Sequence, residues 1–169
     1  MIKTFFVMLL LVNIVPVNQQ PDLVSYRKLM DKAATDSDTA ESLYSLCKKI
    51  NVTDDPVHVG IRAMSEILMC KHVFNPVSKL SHFNRGKKLL DQAISRSKTA
   101  PELYFFRFAT QSNVPSILKY SSNLDADKAI LLKYLKSKPA DKDLHQRVKT
   151  FMLNSKYCNS QEKEIIKTS

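Results

Sequence analysis

Apolar residues recur at spacings of three and four along most of the chain, the pattern of helices that each bury one face. From Asp22 to Ala34 the series is Leu23, Tyr26, Met30 and Ala33. Asp38-Thr39-Ala40-Glu41 then reads as a capping box, the Asp side chain accepting an early backbone N–H while the Glu reaches back, and Leu43, Leu46, Cys47 and Ile50 follow. After a turn over 51–55, Pro56 stands at a first helical position behind Asp55, where proline is tolerated, and opens the stripe Val57, Ile61, Met64, Leu68. Asn75-Pro76 should stop this third helix near Phe74, because the residue before a proline is pushed out of helical geometry. The fourth helix is expected from about Ser78, with Phe83, Gly86, Leu90 and Ala93 inward and Leu89 and Ile94 flanking.

Thr99-Ala100-Pro101-Glu102 reads as a second capping box, opening a fifth helix with Leu103, Phe106 and Ala109 or Thr110 inward. Residues 113–122 hold Pro115 and two adjacent serines, so they form the longest connection, with a short turn around Ile117 and Leu118. Asn123 caps a sixth helix carrying Leu124, Ile130, Leu131, Tyr134 and Leu135. Leu144, Val148, Phe151 and Met152 mark a seventh beyond Pro139, and the stretch Asn159 to Glu162 opens a short last one. The expected fold is all-α, with seven or eight helices in antiparallel hairpins, over a single domain at 21–169.

The first residues break this rhythm. Lys3 precedes an unbroken apolar run from Phe5 to Val12, then Ile14, Val15 and Pro16. A basic start, about a dozen apolar residues and a helix-ending proline match a secretory signal, whereas a spanning helix needs roughly twenty. Residues 1–20 are therefore expected to be a signal peptide cut loosely around Asn18 to Gln20, which sends the domain to the periplasm or outside the cell. Left uncut, the same segment would tether the domain to the inner membrane, the one route to membrane contact in this reading.

Composition sharpens the fold class. Two glycines and no tryptophan among 169 residues argue against a sheet built on tight turns. Three cysteines far apart, Cys47, Cys70 and Cys158, are not a disulfide framework. The net charge of +10 invites anionic partners. The lysines, however, are scattered and mostly close to acids instead of forming a stripe interleaved with aromatics, so no nucleic acid is expected.

The stretch Phe83 to Tyr104 resembles a tetratricopeptide-type helical hairpin: Gly86 small, Leu90 large, Ala93 small on the second helix, and Tyr104 in the aromatic slot that opens the next repeat. It departs from that pattern at Lys98, where the repeat has proline, and at Arg107 and Phe108, where it has leucine and a small residue. The segments 71–76 and 83–90, followed by Asn113-Val114-Pro115-Ser116 and Asp125-Ala126-Asp127-Lys128, are also similar to a group of exported helical proteins from Bacteroidetes that carries no assigned activity. The resemblance implies a right-handed array of hairpins serving as a protein-binding scaffold.

Few residues offer chemistry. Cys70, His72 and His82 could converge if the Asn75-Pro76 turn folds back, but zinc-type paired spacing is missing and no metal or cofactor is expected. A small enzyme using Cys70 with His72 or His82, with Asn84 as the orienting residue beside His82, is the alternative to a non-catalytic role, since a thiol nucleophile needs a base and an orienting group nearby. A basic protein binding anionic glycolipid is another. No phosphate loop or nucleophile elbow is present. The expected interaction surface lies in the aromatic stretch and its basic neighbours, Arg85, Lys87, Tyr104, Phe105, Arg107 and Phe108, facing a protein or peptide partner.

Overall fold

A computed structural model describes residues 21–169; the signal-like segment 1–20 lies outside the described residues. Eight α-helices and one short 3-10 turn make up the described chain: α1 (Leu23–Ala33), α2 (Ser37–Cys47), α3 (Pro56–His72), α4 (Pro76–Arg96), α5 (Pro101–Asn113), η1 (Ser116–Leu118), α6 (Leu124–Lys136), α7 (Lys142–Asn154) and α8 (Ser160–Thr168). The fold is all-α, as the periodicity requires. Each helix packs on the next, and the turns at 34–36 and 73–75 are too short for anything but antiparallel neighbours. The odd-numbered helices also touch in series, α1 on α3, α3 on α5 and α5 on α7.

Helix starts follow side-chain chemistry, with some shifts from the sequence expectation. Asp36, not Asp38, caps α2, its carboxylate accepting from the Thr39 N–H at 2.6 Å. Helix α4 begins at Pro76, two residues before the expected Ser78. Asn75, held extended by the proline after it, has the backbone an N-cap needs, and its amide oxygen accepts from the Val77 and Ser78 N–H groups. The expected box fails at α5, and Asn123 stands at the α6 N-cap as expected but without a side-chain bond to that helix. Ala100 caps α5 without a side-chain bond, because Glu102 turns inward instead. The Asn123 side-chain oxygen accepts from the Gln111 side-chain NH2, and the Asn123 backbone N–H donates to the Gln111 side-chain oxygen. Asn159 and Glu162 form the complete capping box of α8.

The inner faces merge into one apolar core that includes Tyr26, Leu43, Ile61, Leu90, Leu103, Phe108, Leu131, Val148 and Met152. Each such side chain contributes about 1.5–3 kcal/mol when fully removed from water. Both glycines serve close helix contact. A Cβ on Gly60 would sit 2.4 Å from the Leu103 side chain, and one on Gly86 would sit 2.9 Å from the Ala63 carbonyl oxygen. Helix α3 is thereby approached by α5 through Gly60 and by α4 through Gly86. Ile130, expected on the apolar side of α6, is partly exposed.

Candidate functional site

The serial contact of the odd-numbered helices leaves a groove of about 880 Å³ along their shared side. Its walls are Met30 on α1, Met64 and Leu68 on α3, Leu80 and Phe83 at the start of α4, Phe105 and Phe106 on α5, and Phe151 on α7. The spacing Met64, Leu68 places both on one helical face, yet neither is fully buried. Phe105 is wedged edge-to-face against Phe151 at 5.6 Å, which fixes the groove floor between α5 and α7. A second, more open hollow of about 800 Å³ shares Phe105, Arg147 and Phe151 but is bordered by Ser112, Gln146, Thr150 and Asn154. The first groove is the one with continuous apolar walls.

At one end of the groove two arginines are held by carboxylates. Arg27, 2% exposed, donates from Nε and Nη2 to both carboxylate oxygens of Glu102 at 2.7 and 2.8 Å. The same guanidinium reaches Asp141 at 2.8 Å and Asp143 at 2.9 Å. Arg147 bridges Asp143 and Asp31. Burial alone would lower the Arg27 pKa, but the surrounding carboxylates outweigh it and hold the cation charged. Asp141 and Asp143 show the mirror effect: burial pushes them up, and the hydrogen bonds from Arg27 hold them below the usual carboxylate value. This network joins α1, α5 and α7 across one end of the groove.

The six residues expected to form an interaction surface are dispersed. Phe105 faces the groove. Phe108 is fully buried and Tyr104 nearly so, its hydroxyl donating to the Lys98 carbonyl, because the face they occupy packs into the core. Arg107 donates to both oxygens of the fully buried Asp127 at 2.8 and 2.7 Å. Arg85 is held by Glu66 at 3.1 Å, and the Lys87 ammonium sits 4.9 Å over the Tyr120 ring. Leu103 and Phe106 are buried as their spacing predicts, whereas the burial of Tyr104 and Phe108 on the same helix departs from the expected surface.

The cysteine and histidine candidates also find other partners. His72 Nε2 lies 2.7 Å from the Ala33 carbonyl oxygen, closing the end of α1. His82 Nδ1 lies 2.6 Å from Glu66 and its ring stands edge-on to Tyr44. The Cys70 thiol donates toward the Glu66 and Lys79 carbonyls, and burial pushes its pKa up to about 11. Among the described residues no group of three or more His, Cys, Asp or Glu is placed to hold a metal. All three cysteines are unpaired thiols, Cys47 with its pKa raised by burial to about 12. No protein-family profile, curated protein or solved structure matches this chain.

Proposed function

We propose that this chain is a non-catalytic interaction module of the cell envelope, a right-handed tetratricopeptide-like array whose groove takes an apolar segment of a partner protein. The observation that carries the reading is the groove itself, with apolar walls from four odd-numbered helices and α4, and with the cations Arg27 and Arg147 already held by carboxylates of the same chain. A ligand entering it would gain apolar burial without having to replace buried ion pairs. Export by the 1–20 segment belongs to the same proposal.

The test is retrieval of envelope proteins by the parent chain and by Leu68→Asp and Phe105→Ser variants that keep the parent's helical circular dichroism. Losing one apolar anchor should weaken capture of a common partner about ten-fold or more. Retrieval that enriches nothing, or a partner held equally by both variants, would overturn the reading.

The rival is a thiol enzyme at Cys70. Its raised pKa and its hydrogen bonds to two carbonyls favour an inert thiol, and His72 and His82 are turned to Ala33 and Glu66. Thiol labelling of the folded chain near neutral pH should be slow at all three cysteines and complete after denaturation. One cysteine reacting at once would restore the enzyme.

A further inference from the structure

We infer that the α3–α4 turn, with the first turns of α4 and the neighbouring η1 segment, docks on an anionic membrane surface. Phe74 is 97% exposed, Val77 77%, Leu80 49% and Ile117 83%. Phe74, Val77 and Leu80 recur every third residue, so they share one side of the turn and of the helix it opens. Leu80 and Leu118 line the same groove, and Phe83, one helical turn beyond Leu80, meets Tyr120 with ring centroids 5.6 Å apart, which brings the η1 connection alongside α4. These are large side chains held out in water at one region of a molecule whose other apolar residues are mostly packed.

Charge accompanies them. Lys71, Lys79 and Lys119 are exposed in the same segments. Lys79 and Lys119 have no carboxylate partner among the described residues, and the Lys71 ammonium donates only to the Ala34 carbonyl. The sequence places no acid between Glu66 and Asp91, nor between Glu102 and Asp125. Of those four acids Glu66 is buried and neutralised by Arg85, and Glu102 by Arg27. The region is therefore cationic without local compensation, unlike the Arg27 network, where Arg27 and Arg147 are both paired with carboxylates.

Protruding apolar tips ringed by lysines suit the headgroup layer of a bilayer. The tips enter the acyl boundary, the lysine stems lie along it, and the ammonium groups meet lipid phosphates. A protein partner could answer the charge, but it would need a pocket shaped to each tip, whereas a fluid headgroup layer needs no such fit. Among the described residues no helix is long and apolar enough to cross a membrane, so the association proposed is peripheral.

The chain has no tryptophan, so Phe74→Trp in the full chain creates a single reporter at the proposed contact. Val52→Trp is the control, half-exposed and at the other end of α3, about 25 Å along the helix. With vesicles of phosphatidylcholine and phosphatidylglycerol, emission of the Phe74→Trp variant should shift to the blue, and the Val52→Trp variant should not change. The shift should be absent with phosphatidylcholine alone and should weaken with added salt. Adding Lys79→Gln or Lys71→Gln should lower vesicle affinity about five-fold per lysine. No shift at position 74, an equal shift with neutral vesicles, or an equal shift at both positions would overturn the inference. A shift that appears without vesicles and grows with protein concentration would overturn it too, by making a second copy the occupant.

Discussion

Arg107 separates a structural from a ligand-steering role, because its partner Asp127 is fully buried while its own side chain is 13% exposed. In Arg107→Met the two hydrogen bonds at 2.8 and 2.7 Å disappear and the Asp127 side chain is left in the core without its partner. Breaking a buried pair from one side costs about 3–5 kcal/mol, a large part of the 5–15 kcal/mol that holds a typical domain together. For a chain of this size that is a fall in melting temperature of roughly 6–20 °C. The nearby Asp91, already raised by burial and restrained by Arg107, should rise further. Urea unfolding followed by circular dichroism near neutral pH measures the loss, and Arg107→Met with Asp127→Leu supplies the control. Replacing both partners removes the orphaned side chain, so the double variant should recover most of the stability. If Arg107→Met instead stays within about 0.5 kcal/mol of the parent, as surface substitutions do, the buried-pair argument fails and Arg107 is free to steer a ligand.

Gly86→Ala should destabilise. The new Cβ would lie 2.7 Å from Ile67 and 2.9 Å from the Ala63 carbonyl, and the overpacking cost of about 1–3 kcal/mol should exceed the gain of about 1 kcal/mol in helix propensity; a stabilised variant would mean that α3 and α4 can separate freely. Stability should also fall in acid. Asp22, Asp36, Asp141 and Asp143 have lowered folded pKa values, so the stability they lend is full above the unfolded value of 3.8 and is lost as pH drops through their lower folded values, with Asp91 opposing. Urea titrations from about pH 6 to pH 2 check the sign, and a chain that gains stability on acidification through that window would contradict it.

Helix number and inward faces were legible because they depend on neighbours three and four residues away. Asp55-Pro56 and Asn159 with Glu162 were read as helix starts for the same local reason, and Asn75-Pro76 was misread only in taking proline as a stop without seeing that it also starts the next helix. Glu102 shows the limit. Its position fits a capping box, but it is claimed by Arg27, 75 positions earlier, and no local pattern encodes that contact. The groove was hidden in a different way. Met64 and Leu68 have the spacing of core residues yet line open space, while Phe105, expected on the interaction surface, is the residue of that set found in the groove wall. Exposure of Phe74 and Val77 was equally unreadable, since apolar residues beside a turn can lie on either side of it.

A chain of helix pairs in which each pair touches only its neighbours can fray from either end, one unit at a time. The Arg27 network denies this chain that freedom, because α1 and α7 hold one another across 114 and 116 positions of sequence. Peeling away the last two helices would strip Arg27 of two of its three carboxylates, and loosening the first would leave Glu102 buried without a cation. The two ends should therefore open together, in a single cooperative transition rather than a graded one.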